Sequence, residues 1–380
     1  MDRSKGATDF PKTFAATACT DDVTSIWRRW GAKAGIAMVE STEAPASIID
    51  VARRAGVSPS TVSRSLRGMP NVSEATRQRV IRAAAELSYV ASPAASRLAS
   101  GRTSTVGVVV PFMTRWFFAQ VVAGAEAVFH EASLDLLLYN LGDAVGRSRF
   151  FDRLPLQRRV DAVLLVCVPV DESERAALRG LGVPVIMVGT SSPGFGSVRI
   201  DDLEGTAKAV RHLLNLGHER IGMICGLDDD DPLAFATPLL RRQGFEQTLL
   251  AAGLEFDPEQ IVGAPWGIEG GARAMEQLLS ADRLPTAVFA ETDEMAFGAL
   301  WTLRRAGLGV PARISVIGFD DHEMAAVVDL TTISQPVRAQ GEVAATLLLD
   351  ALTDRPDEAA EVVMPTHLVV RGTTGPRPPR

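Results

Sequence analysis

The distribution of apolar positions along the chain changes near residue 105. Beyond that point, short runs of consecutive apolar residues alternate with longer segments of helical period. Consecutive apolar positions are typical of strands covered on both faces, as in parallel sheets with helical crossovers. The predicted strands cover residues 106–111, 135–140, 161–167, 184–189, 221–226, 287–291, 314–319 and 368–370, and the predicted helices cover residues 117–132, 205–216, 239–252, 271–279 and 295–306. Because eight predicted strands are more than one doubly wound sheet comfortably holds, we predict two α/β lobes with a ligand cleft at the carboxyl ends of their strands.

Residues 46–91 have a different pattern, which predicts three short helices. Gly56 ends the first helix, Ser58 and Pro59 begin the second, and Ser73 caps the third. The positions predicted to face inward are Ile48, Val51, Ala52, Ala55, Val62, Leu66, Val80, Ala84 and Leu87. Two short helices joined by a glycine-containing turn predict a helix-turn-helix unit.

The remaining segments are predicted to be an extension, a hinge and a tail. Residues 1–45 have no sustained apolar period and are interpreted as a poorly ordered extension. Residues 92–102 begin with Ser-Pro and end near Gly101, which predicts a hinge helix too short to be stable unless something packs against it. A two-lobed core then covers residues 103–374, and the proline-rich residues 375–380 form a tail.

The net charge of −7 is distributed unevenly along the chain. Residues 46–102 contain nine arginines against Asp50, Glu74 and Glu86, which gives this segment a charge of +6. Residues 1–45 are neutral, so residues 103–380 carry −13. A basic helix-turn-helix unit favours DNA as its partner, whereas the acidic core should repel DNA.

Composition and spacing exclude several other classes of protein. The longest apolar run, residues 162–170, is far shorter than the roughly 20 residues of a membrane-spanning helix, so no membrane partner is expected. The first 45 residues mix acidic and basic side chains without an apolar core, so no secretory signal is expected. Cys19, Cys167 and Cys225 lie too far apart in sequence for a disulfide framework or a zinc site. We therefore expect a cytoplasmic protein.

No pattern of residues predicts catalysis or a cofactor. The five histidines lack metal-ligand spacing, and no serine lies in a G-x-S-x-G motif. Gly194-Phe195-Gly196 precedes strand-like residues rather than a helix, so it is not a dinucleotide fingerprint. The acidic residues 228–231 are interpreted as a solvated loop rather than a metal site. We expect no cofactor, no metal and no enzymatic activity.

The start of the second helix, S-P-S-T-V-S-R at residues 58–64, carries the side chains most suited to reading DNA. Short hydroxyl side chains reach phosphates and base edges, and Arg64 can bind a guanine through two parallel hydrogen bonds. The alternative is a helical hairpin that packs on a protein partner.

The same residues resemble a known family. Residues 50–90, DVARRAGVSPSTVSRSLRGMPNVSEATRQRVIRAAAELSYV, resemble the DNA-binding headpiece of the LacI/GalR (lactose-repressor/galactose-repressor) family and match its D-V-A-x-x-A-G-V-S-x-x-T-V-S-R signature at every fixed position. Later motifs agree: G-H-x-R-I at 217–221, R-x-x-G-F at 241–245, D-x-M-A-x-G at 293–298, I-S-V-I-G-F-D at 314–320 and L-T-T-I-S-Q at 330–335. The resemblance implies a periplasmic-binding-protein-like core and a homodimer on a palindromic operator. It also implies that a small metabolite in the cleft, a sugar or sugar derivative, controls operator affinity.

The resemblance also implies roles for residues of the headpiece and hinge. Ser58, Thr61 and Ser63 would contact phosphates or base edges, and Arg64 would read a guanine. Pro59 and Ser60 occupy the positions that usually discriminate bases, and Leu98 of the hinge would insert into the minor groove.

In the core, the resemblance implies effector contacts from residues 112–118, Arg241, Trp266, Thr292, Asp293 and Asp320. A guanidinium and a carboxylate can grip vicinal hydroxyls, while Phe117 and Trp266 can stack on a ring. The alternatives are a surface salt bridge for Arg241, a loop cap for Asp320, and core packing for the two aromatic residues.

One loop departs from the pattern of the family, which usually has P-D-x-x-N-P-F-F where this chain has P-F-M-T-R-W-F-F at residues 111–118. Phe112 and Arg115 replace the usual Asp and Asn. A lost acceptor and a gained cation favour an effector with a carboxylate, a phosphate or a larger apolar part.

Two other functions are compatible with such a core. A solute-binding protein would share the cleft, but the basic headpiece and the lack of a predicted signal argue against it. A sugar-processing enzyme would require catalytic residues that the sequence does not suggest.

Overall fold

The computed structural model describes residues 46–66, 68–89, 102–226, 235–353 and 359–379. These residues form two compact units, one within residues 1–92 and the other within residues 93–380. Residues 1–45 and Leu98, for which the sequence predicts an extension and a minor-groove wedge, lie outside the described residues.

The smaller unit contains the three predicted helices, α1 (Ile48–Ala55), α2 (Pro59–Leu66) and α3 (Glu74–Glu86). Ser47 and Asp50 form a reciprocal capping box at the start of α1, and Gly56 ends it in the left-handed conformation, with φ of 65°. Its core consists of Val51, Ala52, Ala55, Val62, Val80, Ala83 and Ala84. Leu66 was predicted to face inward and this is wrong, since it is 38% exposed at the last turn of α2.

The larger unit consists of two α/β lobes. The first lobe contains β1 (Thr105–Val110), α4 (Trp116–Glu131), β2 (Asp135–Asn140), α5 (Ala144–Arg153), β3 (Ala162–Val166), α6 (Glu172–Gly180), β4 (Val185–Val188), β5 (Gly196–Ile200), α12 (Val337–Thr353) and β11 (Glu361–Met364). The second contains α7 (Asp202–Asn215), β6 (Ile221–Gly226), α8 (Ala236–Ala251), a 3-10 turn (Pro258–Gln260), β7 (Ile261–Ala264), α9 (Ile268–Leu279), β8 (Ala287–Ala290), α10 (Asp293–Arg305), β9 (Ser315–Asp320), α11 (Glu323–Val327), β10 (Thr331–Ser334) and β12 (His367–Val369).

Each lobe is built on a six-stranded sheet. The strand order is β11-β5-β4-β3-β1-β2 in the first lobe and β12-β10-β9-β8-β6-β7 in the second. All neighbouring strands are parallel except β12, which runs antiparallel to β10. The strand order reverses beside β1 in one sheet and β6 in the other, which is where ligands bind in open α/β folds.

The chain passes between the lobes at residue 201, residues 335–336 and residues 365–366. Helix α12 returns to the first lobe and packs against α4. Glycines allow this close approach, because a Cβ on Gly124 would lie 2.1 Å from the carbonyl oxygen of Arg338, and one on Gly341 would lie 2.0 Å from that of Val121. The first and the last long helices of the first lobe are thereby held in close contact.

The predicted two-lobed architecture is confirmed, although several elements were not predicted. The sequence pattern does not predict α5, α6, α11 and α12, nor β7, β10 and β11. The tail is bound to the second lobe through Gly375 N–H, which donates to Ser315 Oγ, and Arg377 N–H, which donates to the Leu216 carbonyl. No helix among the described residues is long and apolar enough to cross a membrane.

Candidate DNA-binding face and effector cavity

Hydroxyl groups cluster at the start of α2. Ser58 Oγ accepts from Thr61 N–H at 3.2 Å and lies 2.8 Å from Ser60 Oγ and 2.9 Å from Thr61 Oγ1. Ser58 therefore caps α2, with Pro59 at the first helical position as predicted. Ser58, Pro59, Ser60 and Arg64 are exposed, whereas Thr61 and Ser63 are partly buried.

Several basic side chains of the headpiece are already paired within it. Arg53 lies 2.9 Å from Asp50, and Arg54 lies 2.6 Å from Glu86, in both cases at the surface. Such exposed pairs are weak, so these arginines still contribute to the positive potential of this unit.

A cavity of about 70 Å³ lies between the two lobes of the core, at the carboxyl ends of their strands. Its walls come from both lobes and from the crossover at residue 335. They are formed by Phe112, Arg115, Trp116, Phe117, Phe118, Cys167, Phe235, Thr237, Arg241, Trp266, Thr292, Glu294, Asp320 and Gln335. Of the predicted effector residues, Met113, Thr114 and Asp293 do not line this cavity, and all the others do.

Arg241 is the buried centre of a charged cluster in the second lobe. It is 3% exposed, its Nε donates to Asp202 Oδ1 at 2.8 Å, and its Nη1 donates to the carbonyl oxygen of Glu291. Its guanidinium carbon lies 3.6 Å from the centre of the Phe319 ring. A surface salt bridge for Arg241 is therefore wrong, because both the cation and its carboxylate partner are removed from water.

Asp320 ends β9 and joins this cluster at the cavity wall. Its Oδ1 lies 3.8 Å from Arg241 Nη1 and accepts from Gln335 Nε2 at 2.7 Å. Its φ of 118° is a conformation that side-chain-bearing residues rarely adopt, which indicates that the surrounding contacts fix its position. Burial raises the pKa of Asp320 to about 7, against the opposing attraction of Arg241.

Aromatic rings form most of the remaining wall. Phe112 lies between Phe118 and Phe235, with ring centroids 6.2 Å and 6.1 Å away, and Phe235 packs edge-on against Trp266 at 6.0 Å. Phe235 belongs to the chain of the second lobe yet packs in the hydrophobic core of the first. These rings offer flat apolar faces to a ligand.

Arg115 reaches from the first lobe across the cavity. It donates to the carbonyl oxygen of Trp266 and lies 4.0 Å from Glu294, both in the second lobe. Gly267 makes room for it, since a Cβ there would lie within 1.9 Å of the Arg115 guanidinium. Burial raises the pKa of Glu294, against the attraction of Arg115.

Trp116 bridges the lobes beside Arg115. Its indole Nε1 donates to Glu323 Oε2 at 2.6 Å, and its ring centroid lies 4.7 Å from that of His322, with the two rings tilted by 30°. Adjacent residues at the start of α4 thus hold the two lobes together at the cavity.

Asp293 and Thr292 have structural contacts at the start of α10. Asp293 Oδ1 accepts from Thr332 Oγ1 at 2.6 Å and its Oδ2 accepts from His322 N–H at 2.8 Å, so both oxygens are committed outside the cavity. Thr292 Oγ1 accepts from Met295 N–H at 3.2 Å as the cap of α10, while the residue still lines the cavity.

Five residues of the wall are not predicted from the sequence: Cys167, Phe235, Thr237, Glu294 and Gln335. Two of them could have been found, because Gln335 ends the L-T-T-I-S-Q motif and Glu294 follows Asp293. Burial raises the pKa of the Cys167 thiol to about 12, so it is a neutral wall residue at neutral pH. Glu291, behind the cavity, was also missed, and burial raises its pKa to about 8.

Comparison with known proteins decides the family. Residues 47–92 match the model of bacterial regulatory proteins of the lacI family, and residues 210–374 match the model of periplasmic binding protein-like domains. The HTH-type transcriptional repressor CytR of Escherichia coli strain K12 is 35% identical over 338 residues, covering 87% of this chain and 97% of that protein. The chain belongs to the LacI family of bacterial regulatory proteins. It is therefore a DNA-binding transcriptional regulator.

Other family members agree in sequence and in structure. The HTH-type transcriptional repressor PurR of Photobacterium profundum is 32% identical over 331 residues, covering 86% of this chain and 98% of that protein. The lac repressor dimer bound to operator and the anti-inducer ONPF has a TM-score of 0.77 at 28% identity, covering 87% of this chain and all of that one. The complex of the regulator CelR with cellobiose has a TM-score of 0.64 at 32% identity, covering 86% and 99%. Among the described residues, no group of acidic, histidine or cysteine side chains could hold a metal ion.

Proposed function

We propose that this LacI-family protein is a repressor whose operator affinity is set by a small metabolite bound between the lobes of its core. The observation that carries the proposal is the interlobe cavity, in which aromatic rings face a buried Arg241–Asp320 cluster. A ligand that contacts both lobes stabilises one lobe arrangement over the others, and operator affinity then follows that equilibrium.

The proposed DNA contacts are the exposed or partly exposed residues at the start of α2. Ser58, Thr61 and Ser63 would contact phosphates or base edges, Pro59 and Ser60 would discriminate bases, and Arg64 would bind guanine. Pro59 has no side-chain donor, so its contact would be apolar, as with a thymine methyl group. Leu98 completes the proposed set as the minor-groove wedge of the hinge. A homodimer on a palindromic operator is part of the proposal, as in the lac repressor dimer bound to operator.

The proposed effector is a sugar or sugar derivative. Related structures contain cellobiose and ribose. Arg241 and Asp320 would hold hydroxyl groups, Phe117 and Trp266 would face the ring, and Phe112 and Thr292 would complete the wall. Arg115 would bind an anionic group, so sugar acids and sugar phosphates belong in the test. Asp293 is removed from the proposed contacts, because both its oxygens are already bonded elsewhere.

We propose no enzymatic activity and no cofactor for the protein, and a cytoplasmic location. The alternative, a solute-binding protein without a DNA role, would leave the helix-turn-helix unit and its +6 charge without a function.

A gel shift with genomic fragments, at a stated salt concentration, tests both parts of the proposal. We expect selective binding of some fragments and a change in that binding with one class from a panel of pentoses, hexoses, disaccharides, sugar acids and sugar phosphates. Arg64→Ala should weaken selective binding about 5- to 150-fold, the loss of one bidentate guanine contact, with little change in nonspecific binding.

Arg53→Ala is the matched control, because Arg53 is an exposed headpiece arginine paired with Asp50 on α1. It should change selective and nonspecific binding alike. The proposed DNA contacts would be rejected if the protein bound all fragments alike, or if Arg64→Ala lost selective and nonspecific binding equally. The sugar-type effector would be rejected if no compound of the panel changed DNA binding.

A further inference from the structure

Three buried polar side chains form a hydrogen-bonded chain that leads from the cavity into the first lobe. Asp320 ends β9 of the second lobe, Gln335 lies on the crossover, and Gln340 lies in α12 of the first lobe. Gln335 Nε2 donates to Asp320 Oδ1 at 2.7 Å, and Gln340 Nε2 donates to Gln335 Oε1 at 2.8 Å. The three residues are 7%, 6% and 0% exposed.

The carboxylate fixes the direction of every hydrogen bond in this chain. An ionised Asp320 only accepts, so Gln335 must present its Nε2 to it and is left with its Oε1 to accept from Gln340. Both amide dipoles then point their positive ends toward Asp320. Aligned hydrogen bonds polarise one another in a buried setting, so the second bond strengthens the first.

Gln340 has no other evident structural role for its amide. Its Oε1 has no hydrogen-bond partner among the described residues, although the side chain is fully buried. An unsatisfied buried carbonyl costs free energy that an apolar residue at this position of α12 would avoid. The contact that compensates this cost is the one to Gln335.

We infer that Gln340 is a positioning residue of the effector cavity, which acts through Gln335 to fix the orientation and the charge of the Asp320 carboxyl. The inference rests on the proposed function only in taking this cavity as the effector site. Because Asp320 and Gln340 belong to different lobes, the chain links the two lobes beside the cavity.

Several groups around Asp320 influence its pKa in addition to the hydrogen-bonded chain of Gln335 and Gln340. Burial raises its pKa and the negative charges of Glu294 and Asp202 add to this, whereas Arg241 and the bond from Gln335 lower it. Asp293, Glu291 and the Cys167 thiol share the same electrostatic environment. Weakening the bond from Gln335 should raise the pKa of Asp320 above its value of about 7.

The experiment is a pH titration of the Asp320 side-chain carboxyl by NMR in the full-length protein labelled with ¹³C at aspartate carboxyls. The resonance is assigned by its loss in Asp320→Asn. Gln335→Met, which removes the direct donor, should move the titration midpoint upward by about one pH unit. Gln340→Met, of similar length and without a donor, should move it in the same direction by about half as much.

Gln340→Leu is a second variant in case the first does not fold, and Leu348→Met is the matched control, a fully buried apolar position on the same helix. The control should leave the midpoint unchanged. In the wild-type protein, the side-chain amide resonances of Gln335 and Gln340 should titrate with the midpoint of Asp320, which needs no variant.

The inference is overturned if the Asp320 midpoint in the Gln340 variants equals that of the wild type, if Leu348→Met shifts it equally, or if the Gln340 amide does not follow the titration. None of these measurements uses an effector. If no compound of the gel-shift panel acted, the proposed function would be rejected and the positioning role of Gln340 would stand. If the Asp320 midpoint were unchanged in the Gln340 variants, the positioning role would be rejected and the proposed function would stand.

Discussion

The two lobes contribute opposite chemistry to the cavity between them. The first lobe contributes the rings of Phe112, Trp116, Phe117 and Phe118, with Arg115 as its charged group. The second lobe contributes the polar and charged side chains of Thr237, Arg241, Thr292, Glu294 and Asp320, together with the rings of Phe235 and Trp266. One wall is thus chiefly apolar, and the opposite wall is chiefly polar.

The polar wall is largely satisfied within its own lobe. Arg241 is bonded to Asp202 and to the backbone of Glu291, so its desolvation is compensated whatever the position of the first lobe. The rings of the first lobe, in contrast, pack against the core of that lobe, and contact with the second lobe buries more of their apolar area, which favours closure in proportion to the additional area. The difference suggests preorganised recognition by the second lobe and closure driven by the first.

The largest predicted loss of stability follows from replacing Arg241, the centre of the polar wall. Arg241→Met leaves Asp202 and Asp320 buried without their cation and should lower the free energy of unfolding by about 3–5 kcal/mol. The loss should diminish as the pH falls well below about 7, because Asp320 is then protonated and no longer needs the cation. Urea unfolding of the wild type and the variant at pH 8 and pH 5 measures the loss of unfolding free energy and its dependence on pH.

The neighbouring Arg242 supplies the control for this prediction. It is more than a third exposed and pairs with Glu246 one helical turn away, so Arg242→Met should change stability by less than about 1 kcal/mol. Similar losses in the two variants would contradict the view that the Arg241 cluster is a buried, self-contained unit.

A smaller effect is expected from the apolar wall. Phe117→Ala removes a ring that faces the cavity and should weaken effector binding about tenfold, a typical contribution of one aromatic contact. Calorimetric titration with the metabolite found active in the gel shift measures the change. Phe151→Ala, a partly buried ring of the same lobe outside the cavity, should leave the affinity unaltered, and an equal loss there would mean that Phe117 acts through the stability of the lobe.

The sequence pattern predicts the elements whose residues are continuously apolar and obscures those whose residues are not, such as β10 (Thr331–Ser334), which is buried but chiefly polar. Strand β3 is apolar and buried at every position, so its pattern was evident. Strand β7 is only four residues long and exposes Gly263, and α5 buries only Phe150, so neither has a clear period. Helix α12 packs on α4 at Gly341 and also buries Gln340, and such small or polar residues hide its buried face in a hydrophobicity pattern.

The same distinction applies to the cavity. Arg241 and Asp320 were predicted because they belong to the R-x-x-G-F and I-S-V-I-G-F-D motifs, and Trp266 was predicted from the family resemblance. Phe235 has no such signal, since its place depends on how one lobe packs against the other. Asp293 was predicted as an effector contact from its motif, but its two carboxylate oxygens accept hydrogen bonds from Thr332 and His322. A motif identifies the position of a side chain and does not identify its hydrogen-bond partner.

The smallest effect on stability is expected for Arg115, the charged group of the chiefly apolar wall. Arg115→Asn introduces the residue that the family usually has here. Because the Arg115 side chain is 36% exposed and its carboxylate partner is 4.0 Å away, the free energy of unfolding should change by less than about 1 kcal/mol.

Binding of sugar acids or sugar phosphates to Arg115→Asn should weaken, since the guanidinium can form paired hydrogen bonds with a carboxylate or phosphate and an amide cannot. A neutral hexose should bind the variant at least as well as the wild type, because no charge needs to be desolvated against it. Tight, equal binding of a neutral hexose to both proteins, with no preference for an anionic ligand in either, would show that the first lobe is purely an apolar wall and that Arg115 only ties it to the Trp266 carbonyl.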